Sequence, residues 1–249
     1  MAISGPPLFL GDGLMNAPWS QSVPEHFFDA NAMVIYGGGG HGKALIDLVR
    51  TSGVYHLVGV IDDGLPVGAS IMGLPVIGGA DAMPGLVERG VRLAVNAVGG
   101  IGNVAARLRV FETIARSGLT CPALVHVSAW VEPSAWLDAG VQVLAQTYIS
   151  SDARIGFGTV VNAGVVVSHD CVLGKVVNLS PGAMLAGGVI VEDCVQVGMA
   201  ATINLNLHIG KGARIGNGAT VKADVPENGV VHAGEIWPVR GVVSTAEMH

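Results

Sequence analysis

The stretch "VVNAGVVVSHDCVLG", Val160 to Gly174, places an aliphatic residue at Val161, Val167 and Leu173, one every six positions. Continuing the step in both directions, every sixth residue from Val125 to Val221 is Val, Ile or Leu, seventeen in succession. At ordinary apolar usage, chance would give such a run about once in 10^8 attempts. Four residues after each aliphatic position comes a smaller side chain, as at Val165, Cys171, Val177 and Ala183. Period six fits neither a 3.6-residue helix nor a simple alternating strand. Short strands joined by sharp corners would turn both residues inward. Cys171 takes the small inward position, so its thiol is expected in the core rather than as a nucleophile.

This pattern resembles the hexapeptide-repeat family, whose fold is a left-handed parallel β-helix with three hexads in each triangular coil. The resemblance implies a β-helix over residues 122–225 with between five and six coils, stacked ~4.8 Å apart.

Upstream, "AMVIYGGGGHGKALIDLVRTSGVYHLVGVIDD", Ala32 to Asp63, reads as strand, Gly-rich turn, amphipathic helix and strand. That is a βαβ unit and predicts a parallel sheet. "RLAVNAVGG" reads as a further buried strand, and "NVAARLRVFETIARSG" as a helix stopped by Gly118. Residues 32–121 are therefore expected to form a small Rossmann-like α/β domain, too short for the two halves of a full dinucleotide fold. Residues 1–31 read as an irregular arm and residues 226–249 as a C-terminal tail.

Gly37 to Lys43 fits both the start of a P-loop and the G-x-G-x-x-G fingerprint. A P-loop needs a hydroxyl after its lysine to hold magnesium, and Ala44 supplies none. The second pattern fits better: the loop follows a strand and opens a helix, so backbone N–H groups and the helix dipole would face a phosphate. Asp62 and Asp63 end the next strand, where a carboxylate can accept hydrogen bonds from a ribose. A nucleotide diphosphate is the expected ligand.

Composition narrows the partners. A net charge of -6 and a pI near 5.7 argue against nucleic acid, whose binding draws on clustered Lys and Arg. Mean hydropathy is high at +0.55 with 13% charged residues, yet no uninterrupted apolar run is long enough to span a bilayer. Cys121, Cys171 and Cys194 lack C-x-x-C spacing, so neither zinc nor a disulfide framework is expected, and the cytoplasm is the expected compartment. Metal ligands stacked two coils apart would need a histidine 36 residues beyond His126 or His169. Asn162 and Leu205 stand there instead.

His169 occupies an outward position near a corner of its hexad. Imidazole, with an ordinary pKa near 6.5, suits proton abstraction at neutral pH, and an adjacent carboxylate, here Asp170, favours the imidazolium that forms.

"IYGGGGHGKALIDLV", "VGVIDD" and "AVGGIGNVAARL" resemble the bacterial sugar O- and N-acetyltransferases. These include the sialic acid acetyltransferases and the nucleotide-linked 4-amino-sugar N-acetyltransferases. The likeness covers residues 32 to 240. It implies that Gly39, Gly40, His41, Asp62, Asp63 and Gly99 hold the UDP or GDP part of a nucleotide-linked amino sugar. It implies His169 as general base, Asp170 as the group that raises its basicity and Asn162 beside it. Acetyl-CoA would be the co-substrate, without a metal, near Asn178, Gly187, Met199 and Asn217, in sites between the β-helices of a homotrimer. Many amino-sugar members carry a second histidine at the position of Asn178, which cannot titrate, so proton transfer rests on His169. The expected activity is acetylation of an amino group, at N4 of a UDP- or GDP-4-amino sugar. O-acetylation of sialic acid or another sugar hydroxyl, and non-catalytic nucleotide-sugar binding, are the alternatives.

Overall fold

The computed structural model describes residues 28–238, so nearly all of the arm and the end of the tail lie outside the described residues. The chain enters on β1, Ala32–Tyr36, all five of whose residues are buried. Helix α1, Gly40–Ser52, ends at Gly53 in the left-handed conformation, and β2, His56–Ile61, returns parallel to β1. Then come β3, Ser70–Ile71, and β4, Leu74–Gly78, followed by α2, Met83–Glu88. The domain closes with β5, Leu93–Asn96, and α3, Val104–Arg116, beyond which Gly118 has a positive φ. The sheet order is β3-β4-β2-β1-β5, parallel except for the β3–β4 pair.

Alternation along β1 accounts for its complete burial. Met33 and Ile35 pack with Leu45, Ile46 and Val49 of α1, while Val34 and Tyr36 pack on the other side with Met83, Leu86 and Ile114. A buried parallel strand with helices on both faces carries apolar side chains at every position.

From Leu124–Val125 to Ile236–Trp237 two-residue strands form three parallel sheets of seven, five and seven strands, the faces of a triangular prism. Each rung pairs with the one eighteen residues on, as Ile149 with Val167 and Val167 with Leu185. The aliphatic and small positions of the hexads fill one continuous core that includes Val161, Val167, Cys171 and Leu173. Corners are made by residues with positive φ at the same phase of each hexad, among them Asp152, Gly158, Gly164, Asp170, Val176 and Gly182.

The prism continues past residue 225, where the sequence suggests a tail. Arg214 pairs with Val230 and Thr220 with Ile236, sixteen residues apart, so the final coil is two residues shorter. That shortening breaks the strict period and hides the coil from a six-residue count.

One face of the prism carries the α/β domain. Its outward residues Gln142, Val160 and Asn178 are buried, whereas Arg214 further along the same face is exposed. The junction centres on Arg107 of α3, which is 1% exposed. Its guanidinium donates to the Val98 carbonyl and, at 2.7 Å, to the carbonyl of Gly158 at a prism corner. Phe111 of α3 also packs on that corner, leaving no room for a Cβ at Gly158. Burial lowers the Arg107 pKa to about 10, which leaves it charged at neutral pH. Two carbonyls, not a carboxylate, satisfy it among the described residues.

Arg107→Ala would orphan both carbonyls, at a cost of about 3 kcal/mol in urea unfolding. Arg107→Lys should recover less than half of this, because one ammonium cannot span two acceptors held by a planar fork.

Candidate active site

The glycine loop joins β1 to α1. A Cβ on Gly42 would collide with the Gly37 carbonyl, so packing demands glycine there, whereas one on Gly38 would lie 2.6 Å from Leu65 Cδ1 and require that side chain to shift. Gly39 and Gly40 differ: a Cβ at either would meet nothing within 4 Å. Gly39 is the N-cap and provides no side-chain cap, so the first N–H groups of α1 are left for another acceptor. Glycine at these two positions keeps the approach to those donors open.

Both predicted carboxylates brace this loop. Asp62 accepts from Gly38 N at 2.8 Å and Gly64 N at 2.9 Å. Asp63 accepts from Ala80 N at 2.9 Å and from the Tyr36 hydroxyl at 2.5 Å. Burial and the Asp63 carboxylate push the Tyr36 pKa up, keeping the phenol protonated as the donor. These groups line a cleft of about 520 Å³ with Gly37, Val98 and Arg109. Each carboxylate oxygen has a second lone pair for a ligand hydroxyl. His41 does not border this cleft but turns to the prism, where its Nε2 lies 2.8 Å from Gln142 Oε1. A Cβ on Gly99 would lie 3.9 Å from the His41 Cβ, so these two predicted residues adjoin.

His169 stands on a different edge. Its side chain is 62% exposed, and Nδ1 lies 2.7 Å from Asp170 Oδ2. A carboxylate can only accept, so Nδ1 carries a proton, and in the neutral ring Nε2 is the nitrogen with the lone pair. Asp170 sits at φ 60, a left-handed corner that Asp tolerates well. One coil on, Gly187 floors the imidazole: a Cβ there would come within 2.5 Å of Cε1 and 2.6 Å of Nε2. Cys171 is fully buried beneath this corner, and burial pushes its thiol pKa up, so it belongs to the core.

Other expected residues separate. Asn162 donates to the Leu179 carbonyl at 2.8 Å and lies before the corner at Ala163–Gly164, one strand away from His169. Within one chain the two are not brought together. Asn178, expected near acetyl-CoA, is 3% exposed on the docking face, bonded to Ser180 and covered by Gly100. Its hexad position points outward, but on this face outward means beneath the α/β domain. Met199 and Asn217 stack on the next edge, with Met199 N donating to Asn217 Oδ1 at 2.9 Å. Asn217 borders a cleft of about 340 Å³ with Ile101, Gln196 and Arg214, where the docking face emerges from under the α/β domain. Gln142, Asn96 and Arg107 escape sequence reading, because nothing in the local pattern marks a polar residue as buried at a junction between domains. Among the described residues no group of three or more His, Cys, Asp or Glu could hold a metal. No described helix is long and apolar enough to cross a membrane.

A glycine-loop α/β domain docked on a hexapeptide prism with an exposed His–Asp pair fits an acyltransferase of the β-helix class. Residues 32–114 match the PglD N-terminal domain family. The perosamine N-acetyltransferase of Caulobacter crescentus, solved with CoA and GDP-perosamine, is 32% identical with a TM-score of 0.77, over 82% of this chain and 94% of that one. The acetyltransferase domain of PglB from Neisseria gonorrhoeae, solved with acetyl coenzyme A, is 29% identical with a TM-score of 0.76, over 85% of this chain and 100% of that one. WeeI from Acinetobacter baumannii is 27% identical with a TM-score of 0.74, over 82% and 97%. A 2,3,4,5-tetrahydropyridine-2,6-dicarboxylate N-acetyltransferase of Staphylococcus aureus is 42% identical over 66 residues, 23% of this chain and 28% of that protein. The match thus spans about a quarter of the length of such curated relatives. The chain belongs to the hexapeptide-repeat nucleotide-sugar N-acetyltransferases.

Gly187→Ala should displace the His169 ring and lower kcat by about 10²-fold, as misplacing a reacting group does. Circular dichroism and the melting temperature should change little, since the ring is exposed and can swing outward.

Proposed function

We propose that this protein transfers the acetyl group of acetyl-CoA to the amino group of a nucleotide-linked amino sugar, at N4 of a UDP- or GDP-sugar. The observation that carries this reading is the exposed His169–Asp170 pair with its free Nε2 above Gly187. Nε2 takes a proton from the amine as its nitrogen attacks the thioester carbonyl. The tetrahedral intermediate collapses with loss of CoA thiolate, which recovers a proton from the imidazolium. Asp170 holds the ring in the productive tautomer and stabilises the transient cation. The uncapped N–H groups of α1 hold the diphosphate, with Asp62 and Asp63 toward the ribose. A cytoplasmic setting suits three cysteines that are all free thiols.

The working unit is a homotrimer. His169 lies on the edge between two faces of the prism, opposite the face that carries its own α/β domain. The two faces meeting at that edge expose Trp130, Trp136, Tyr148, Val172, Met184 and Ile190, with both tryptophans about two-thirds exposed. Apolar surface of this extent marks a protein contact. A neighbouring copy seated there sets its glycine loop against the His169 of this chain, giving three composite sites in a closed ring.

His169→Ala should lower kcat by at least about 10²-fold with a panel of UDP-, GDP- and dTDP-amino sugars. Wild-type turnover by the variant, or acetylation of hydroxyls alone, would refute the assignment. Gly40→Val should raise the nucleotide-sugar KM instead, since a side chain there obstructs the phosphate. Co-expressing these two impaired variants should restore activity in mixed trimers if sites are shared, and restore none if each chain works alone.

A further inference from the structure

A buried line of hydrogen bonds runs from α3 through β5 and the prism to α1. Asn96 Nδ2 donates to the Arg107 carbonyl at 2.8 Å, and Asn96 Oδ1 accepts from Val98 N at 3.2 Å. The Asn96 carbonyl accepts from Gln142 Nε2 at 2.7 Å, and Gln142 Oε1 meets His41 Nε2 at 2.8 Å. Asn96 is 1% exposed and Gln142 2%.

The direction of each bond follows from donor chemistry. A backbone carbonyl only accepts, so the Gln142 amide nitrogen must face Asn96 and its oxygen must face His41. Flipping the amide would set the Gln142 oxygen against the Asn96 carbonyl oxygen, so the Asn96 end fixes its orientation. His41 Nε2 therefore carries the proton. Burial, aided by the positive charge of Arg107, lowers the His41 pKa, so the ring is neutral and Nδ1 is left with a lone pair. Among the described residues Nδ1 has no protein partner, and it is not sealed from solvent; the one buried side-chain polar atom without a partner is Arg89 Nε.

We infer that Gln142, a prism residue, is a positioning residue of the nucleotide-sugar site. It fixes the Nε2–H tautomer of His41, so that Nδ1 meets the ligand as an acceptor for a sugar hydroxyl or amine. At the start of α1 the backbone supplies only donors, which suit phosphate oxygens. A neutral Nδ1 on a residue of the same first turn repels a phosphate oxygen and accepts an O–H or N–H group. The pair thereby sets which end of the ligand enters which part of the site. Because Gln142 belongs to the prism and His41 to the α/β domain, the preference exists only when the two are docked.

The tautomer is read directly from ring nitrogen shifts in protein labelled with 15N-histidine, with His41 assigned by its loss in His41→Gln. The wild type should show Nε2 protonated and Nδ1 bare. Gln142→Met, close in volume, should give a tautomer mixture and raise the nucleotide-sugar KM about tenfold, the effect of one hydrogen bond. The acetyl-CoA KM should stay within about twofold. A proton on Nδ1 in the wild type overturns the inference, whether or not the variant folds. So does an unchanged tautomer in a folded Gln142→Met, or an altered tautomer with an unchanged KM. The ligand contact rests on the nucleotide-sugar reading and the tautomer does not: if no amino sugar is acetylated by the wild type, that reading fails while the nitrogen shifts still decide the role of Gln142.

Discussion

Everything in the prism depends on a backbone that turns sharply every six residues and hydrogen-bonds to itself one coil later. Val166 N donates to Ala183 O at 3.0 Å, and Met184 N repeats the bond to Ala201 O at 2.9 Å. Such stacking requires each coil to close in register, and from Gly140 to Gly218 a left-handed residue closes every corner. Glycine fills many corners without strain, and Asp152, Asp170 and Asn206 fill others at modest cost. Val176, at φ 55 and 3% exposed, is the demanding case, because a β-branched residue strongly disfavours that conformation. The bonds above and below over-determine it.

The same constraint builds the catalytic corner. Asp170 is locked in the left-handed turn, which fixes the direction of its carboxylate relative to the preceding His169. Backbone bonds from Gly188 N to His169 O at 2.9 Å and from Asp170 N to Ser151 O at 3.0 Å tie the corner to both neighbouring coils. A functional side chain on a surface loop would need other packing to hold it. Here the repeat holds it, and Gly187 in the next coil leaves a flat floor for the ring.

The period made the prism legible because a core position is the same in every coil: Val161, Val167 and Leu173 share one fate. Outward positions do not. Gln142 and Met184 occupy equivalent places in their hexads, yet one is 2% exposed and the other 51%, because only one face carries the α/β domain. Nothing within a hexad says which face that is, so Asn178 reads as surface and Gln142 as unremarkable. The Gly37–Gly42 loop was legible from local chemistry, since a strand, a tight turn and an uncapped helix are contiguous in the chain. The partners of His41 lie about a hundred residues away, and only the folded junction brings them near.

The two histidines near the proposed ligand are set in opposite surroundings. His41 is desolvated close to Arg107, conditions that oppose a positive ring and outweigh the opposite pull of its hydrogen bond to Gln142. His169 is open to solvent and bonded to a carboxylate. A single ring cannot serve both as a fixed acceptor held neutral and as a base that must take a proton on every turnover. Placing the first at the junction of two domains and the second on an open edge gives each the dielectric its task requires. In one chain these rings lie on opposite sides of the prism, so joining their functions in one site calls for a second copy of the chain.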